Sequence, residues 1–260
     1  MKKWIVSLAM CFMFLGIGSS FAEPLQMHTW RVGVEMSHIT YEEPDVMEEK
    51  GFMHGIGGSY TYHNYIMIKA EGKFSYGQVD YKNSGTIDNI NDYMMEFRGL
   101  GGYDFHILNR SIITPYIGIG YRYLNDDSSG RVSSTGAAGY ERESNYYYSP
   151  IGLETLTELN NGWSIGVILE YDYFWKGKQK SNLGSIPGYY DIENDQDDGY
   201  GWRGSIKLQK EHLKHVFTIE PFVRYWNIED SKTTTDPGGT TWYEPKNNST
   251  EFGVNVSVAF

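Results

Sequence analysis

From Trp163 to Trp175 a large apolar or aromatic side chain occupies every second position: Trp163, Ile165, Val167, Leu169, Tyr171, Tyr173 and Trp175. Between them stand Ser164, Gly166, Ile168, Glu170, Asp172 and Phe174. No helix gathers the first set on one face, whereas a strand does. The last ten residues repeat the pattern, with Phe252, Val254, Val256, Val258 and Phe260 alternating with Glu251, Gly253, Asn255, Ser257 and Ala259. A strand that is greasy on one face and small or polar on the other suits a wall between lipid and a wet interior.

The chain opens on MKKWIVSLAMCFMFLGIGSSFA, with a positive start at Lys2 and Lys3, an apolar centre and a small-x-small end. This predicts a secretory signal peptide over residues 1–22 and one domain over 23–260. The single cysteine, Cys11, falls inside the leader, so the mature chain would hold neither a disulfide nor a thiol nucleophile. Loss of Lys2 and Lys3 takes the formal charge from -11 to -13. That balance argues against nucleic-acid binding. A mean hydropathy of -0.48 alongside 16% aromatic residues is unusual for a soluble core. It is expected where strands grease one face only and aromatics ring two interfaces. No apolar run after Ala22 is long enough for a membrane helix.

The same reading along the chain predicts ten strands, near residues 28–41, 52–63, 65–81, 93–106, 112–124, 146–159, 163–175, 200–210, 217–226 and 251–260. Eight or twelve would follow if one hairpin were misassigned. Short connections follow the even strands, at His63-Asn64, Leu108 to Arg110, Asn160 to Gly162 and Glu211 to His215. Long ones follow the odd strands. Pro115 and Pro221 each remove a ladder donor, so a local bulge is expected at both.

These features, and the terminal strand ending on Phe260, resemble the outer-membrane β-barrels of Gram-negative bacteria. The fold class expected is all-β, a transmembrane antiparallel up-and-down barrel. The resemblance implies an outer-membrane location with loops outside and both termini periplasmic. It implies lipid and lipopolysaccharide as surroundings, and an assembly machinery that reads Phe260. The barrel is expected to be a monomer. Size and strand number are similar to the omptin outer-membrane proteases, which activate water with an Asp pair facing an Asp-His pair. Asp88 and Asp92 match the first pair only loosely, and the facing loop contains no histidine. His38 and His54 fall on the lipid phase, so no catalytic set is assigned.

The inward phase carries the charge. Its cations are Arg31, Lys69, Lys73, Arg98, Arg122, Arg203, Lys207 and Arg224. Its anions include Glu35, Glu71, Glu96, Glu154, Glu170, Asp172, Glu220 and Glu251. Isolated charges in a narrow lumen are costly, so these are expected to pair and fill the bore. The competing expectation is a small selective pore. The loops carry five acids in YEEPDVMEEKG at 41–51 and a second acidic run in the expected loop four, Lys176 to Gly199. From that run, Asp191, Glu193, Asp195, Asp197 and Asp198 are candidate ligands for calcium or magnesium, without the spacing of a full calcium loop. Otherwise no cofactor is expected. Tyr140, Tyr189, Tyr190, Trp242 and Tyr243 are candidates for ligand contact, since Tyr on adaptable loops gives area at low entropy cost. The function expected is a non-enzymatic surface barrel, structural or adhesive. The alternatives are the small pore and a degenerate omptin-like hydrolase.

Overall fold

The computed structural model describes residues 26–107 and 110–260. The expected leader, with Cys11, lies outside the described residues, as do Leu108 and Asn109 of one expected turn. Ten long strands follow one another around a closed ring: β1 (His28–Glu43), β2 (Met47–Asn64), β3 (Ile66–Asn83), β4 (Gly85–Tyr103), β5 (Ser111–Asp127), β6 (Glu141–Glu158), β7 (Trp163–Asn182), β8 (Gly199–His212), β9 (His215–Ile228) and β10 (Asn247–Ala259). Each pairs antiparallel with its chain neighbours. The ring closes where β1 meets β10, with Arg31 opposite Ala259 and Val34 opposite Val256. Closure leaves no free edge, which is what a sheet in lipid requires.

The outward phase forms a belt between two aromatic girdles. Its middle is aliphatic: Val32, Val34, Ile56, Ile117, Ile119, Leu169, Ile206, Ile219 and Val256 are exposed. At the end carrying the short turns, Trp30 lies tilted beside Tyr60 at 4.7 Å and Tyr103 beside Phe105 at 4.8 Å. At the other, loop-bearing end, Tyr93 meets Tyr123 at 5.8 Å, Tyr121 meets Tyr147 at 5.1 Å and Tyr171 meets Trp202 at 4.8 Å. Amphipathic rings of this kind belong at headgroup level, with their polar tips wet.

Three expectations are corrected. The acidic stretch 41–51 is not an open loop. β1 and β2 stay paired up to Glu43 opposite Met47, leaving a three-residue turn. Likewise β3 and β4 pair up to Asn83 opposite Gly85. The alternation continues through the charged residues, so both hairpins run on past the girdle as stiff ladders. Pro115 and Pro221 do not cause bulges. Register is the same on both sides of each, and the ladder merely lapses there, between Gly102–Tyr116 and Phe105–Ile113, and between Ser205–Phe222 and Leu208–Ile219. A missing donor costs a bond without adding a residue. The register shifts fall instead at Val79/Tyr81 and Tyr147/Tyr148. The first reverses the facing of β4 near Asn89, whose φ is 57°. The second turns both Trp175 and Lys176 outward.

Leu169 is 62% exposed and lies midway between Trp163 and Trp175 on β7. Leu169→Arg is expected to cost about 2–4 kcal/mol, read as a lower urea midpoint in micelles. An unchanged midpoint would contradict the belt.

Candidate functional site

The inward phase builds an ionic lattice of two groups across the middle of the lumen. Arg203 of β8 reaches Asp172 at 2.8 Å, Glu170 at 3.0 Å and Glu96 across the bore. Arg98 of β4 holds Glu170 at 2.6 Å and also Glu71. Lys69 continues from Glu71 at 2.7 Å toward Glu154, which Lys207 reaches at 2.5 Å. A second group joins Lys73, Glu35, Arg224 and Glu251, with Arg224 2.8 Å from Glu35 and 3.1 Å from Glu251. Each of these residues sits on a different strand from its partners or two positions along the same one, so the lattice ties the ring together across its diameter.

Three expected members stand apart from the ion pairs. Arg31 donates to the hydroxyls of Thr218 at 2.5 Å and Ser257 at 3.2 Å. Glu220 accepts from Ser205 at 2.6 Å. Arg122 lies against the Tyr146 and Trp226 rings at 5.8 and 5.6 Å and donates to the Met94 sulfur.

Above the lattice, toward the loop end, Tyr146, Tyr148, Phe174, Trp226 and Ile228 form a buried plug. The Tyr148 hydroxyl donates to Glu96 at 2.7 Å and accepts from Arg203 at 2.9 Å, which fastens the plug to the ions. Its ring meets Trp226 edge-on at 5.0 Å. It also lies across Gly120, directly opposite on β5; a Cβ there would come within 2.3 Å of the ring. Tyr116 covers Gly152 in the same way and donates to Glu170 at 2.7 Å. A glycine facing an aromatic lets the ring fold flat over the strand. Plug residues were not among the expected site residues. Their signal was present: Tyr146 and Tyr148 stand on the phase opposite Ile151 and Leu153, and Trp226 shares the phase of Arg224. Below the plug lie a 170 Å³ cavity and a 220 Å³ cavity at the turn end, sharing Arg31, Lys69 and Lys207 in their walls.

At the loop end, the five candidate metal ligands are dispersed. Asp191 accepts from the Gly184 amide at 2.7 Å, Glu193 pairs with Lys178, and Asp197 pairs with Lys232. Asp195 lies opposite Lys178 in the short ladder of Ile192–Gln196 against β7. Among the described residues no three His, Cys, Asp or Glu side chains gather as a metal site. The alternation of IENDQ explains the dispersal, since it faces Glu193 and Asp195 outward beside lysines and leaves Asn194 and Gln196 inside. The aromatic candidates divide. Tyr189, Tyr190 and Tyr243 are exposed, and Tyr189 lies 6.2 Å from Trp242. The Trp242 indole donates to Asp236 at 2.8 Å, which with the loop amides holds that carboxyl below its ordinary range. Tyr140 is tucked under the loops, and burial pushes its phenol up to about 12.

Asp88 and Asp92 do not form a pair: Asp88 is exposed while Asp92 is buried inside, because the chain reverses its facing between them. The His38 ring packs between Phe52 at 5.1 Å and Phe252 at 5.4 Å on the outward face, and His54 is exposed on that face. His63 faces inward at the turn end, 2.8 Å from Asp104, which also accepts from Thr114 at 2.6 Å.

No family model and no curated protein matches the sequence. Among solved structures, the outer membrane protease OmpT of Escherichia coli aligns at a TM-score of 0.64 with 9% identity, over 90% of this chain and 96% of that one. The translocator domain of autotransporter NalP of Neisseria meningitidis aligns at 0.43 with 12% identity, over 89% and 88%. Neisserial surface protein A aligns at 0.38 with 12% identity, over 89% and 97%. At such identities the likeness is one of fold: the chain is a closed ten-strand barrel of the outer-membrane kind.

Removing one member of the lattice strands the others in low dielectric. Arg203→Met should therefore cost about 3–5 kcal/mol. Tyr148→Phe, which keeps the ring and removes the hydroxyl, should cost about 1–3 kcal/mol. Urea melting of the folded band on unheated gels measures both. Wild-type midpoints in both variants would mean that the lattice contributes nothing to holding the ring.

Proposed function

We propose that the barrel lies in the outer membrane of a Gram-negative bacterium as a monomer, with the loop end outside and both termini in the periplasm. In this reading it is a non-enzymatic surface protein: its loops contact a ligand, its lumen is a filling rather than a passage, and no cofactor is invoked. The observation that carries the reading is the filling itself, where the Arg203–Glu96–Tyr148 junction joins the ionic lattice to the aromatic plug. A solute crossing the bore would have to break buried pairs as well as move close-packed rings. Phe260 closes onto Trp30 by two backbone hydrogen bonds of 2.9 Å. In this reading Phe260 is also the residue read by the assembly machinery, and lipid and lipopolysaccharide are the partners of the outward belt.

What supports a contact role for the loop end is its stiffness. Loop five (residues 229–246) is braced on loop four (183–198) by Lys232 N–Asp195 O at 2.9 Å, Glu229 N–Asp198 O at 3.0 Å and Asn194 side-chain bonds to Lys232 and Trp242. Exposed Tyr189, Tyr190 and Tyr243 are thus held on a frame that loses little entropy on binding. In planar bilayers the purified barrel is expected to give no steady unitary conductance. Binding to extracellular matrix or a glycan array is expected and should be lost on deleting residues 233–241. Steady conductance would favour the pore, and cleavage of a dibasic peptide would favour a hydrolase; either overturns the reading.

A further inference from the structure

At the loop end, above the plug, five carboxyl groups are buried together: Glu43 of β1, Glu49 of β2, Asp92 of β4, Asp126 of β5 and Glu244 of loop five. Arg142 of β6 reaches into them, 2.9 Å from Glu43, 2.7 Å from Glu49 and 3.8 Å from Asp126. Asp92 and Asp126 stand directly opposite each other in the ladder. One oxygen of Asp92, one of Asp126 and one of Glu244 is buried without a hydrogen-bond partner. Like charges opposite one another and unpaired buried oxygens both disfavour full ionisation. Arg122 also faces Asp92, and two guanidiniums cannot balance five carboxylates, so this site requires bound protons.

Glu244 is the member that comes from a loop. Its backbone is fixed by Ser231, whose hydroxyl accepts from the Glu244 amide at 2.7 Å and whose amide donates to the Glu244 carbonyl at 3.0 Å. Its carboxyl is turned down into the barrel mouth and meets Glu43. Glu43 already accepts from Arg142 at 2.9 Å and from the Tyr41 hydroxyl at 3.2 Å, so Glu43 is the acceptor and Glu244 the one that must donate. The other groups facing Glu244 are Tyr41 on β1, Arg142 and Tyr146 on β6, and Tyr140 beneath loop three (128–140). Of these, Arg142 alone favours the charged form.

We propose that the returning end of loop five, residues 244–246, is a proton-operated latch: with a proton on Glu244 it docks on Glu43 and covers the buried acids, and without that proton its bonds to Ser231 give way and it lifts from the mouth. Burial, reinforced by the facing Glu43 carboxylate, pushes the docked Glu244 up to about 8. In water a glutamate gives up its proton near about 4.3. Docking therefore takes up a proton. The docked-to-lifted ratio is largest below about pH 4.3, falls about tenfold per pH unit through the window up to about pH 8, and levels off above it. Lys232 and Thr234 anchor the outgoing arm to loop four, and the Trp242 carbonyl accepts from Asn194 there too, so the motion belongs to the residues after Tyr243.

Hydrogen exchange of the full-length barrel in detergent, corrected for intrinsic rates, tests the latch on peptides covering 240–247 at pH values from 5 to 9. In the wild type, protection should drop by tenfold or more between pH 5 and 8 while the β7 and β8 peptides stay constant. Glu244→Gln, permanently neutral, should stay protected with no pH slope. Glu43→Gln removes the facing carboxylate and should keep the arm protected at pH 8. A flat wild-type profile, or the same slope in wild type and Glu43→Gln, overturns the proposal. So does a shared slope in Glu244→Gln.

Discussion

In so narrow a bore a charge must meet its opposite, and the rest of the molecule is arranged around that requirement. Lipid outside assigns every second residue of each strand to an apolar role. The residues left over point inward, and their charges are removed from bulk water at a cost that no single pair repays. Arg203, Arg98 and Arg224 solve this by each serving two or more carboxylates from other strands. Because the partners come from opposite sides of the ring, the interaction that satisfies the charges also fixes the cross-section. Tyr148 and Tyr116 then carry the order from ions to rings, one hydroxyl each.

The wall was legible in the sequence and the contacts were not. Leu169 and Glu170 could be given opposite faces from alternation alone, and the same rule extends to Phe174, Tyr146, Tyr148 and Trp226. Which cation meets which anion depends on strands that are distant in sequence and on the height at which each side chain enters the bore. Nothing in the spacing of Glu35 and Arg224, 189 residues apart, indicates their bond. The acid cluster around Arg142 was hidden for a different reason. Glu43 and Glu49 lie in a stretch rich enough in charge to look like a solvated loop, yet the ladder continues through it. The irregularity near Asn89 then separates Asp88 from Asp92, which parity alone would have placed together.

The two ends of the barrel consequently differ in character. The turn end holds a cavity among Arg31, Lys69 and Lys207. The loop end is packed with apolar side chains from β1 to β4, namely Ile39, Met53, Val79, Ile87 and Ile90, beside the aromatic plug. Hairpins that outrun the girdle need such a core, because above the lipid only their inner faces can be dry.

The flat seating of Tyr148 on Gly120 and of Tyr116 on Gly152 has an evolutionary corollary. Outward positions can exchange one aliphatic group for another singly, since the surrounding hydrocarbon adapts to any of them. A glycine beneath a ring cannot gain a side chain until the ring has left, and the ring cannot leave without removing the hydroxyl that fastens it to Glu96 or Glu170. Drift on the inner surface must therefore proceed by joint replacement of several residues. Barrels of one shape can in this way come to share almost no letters, each lineage keeping a separate but internally consistent interior.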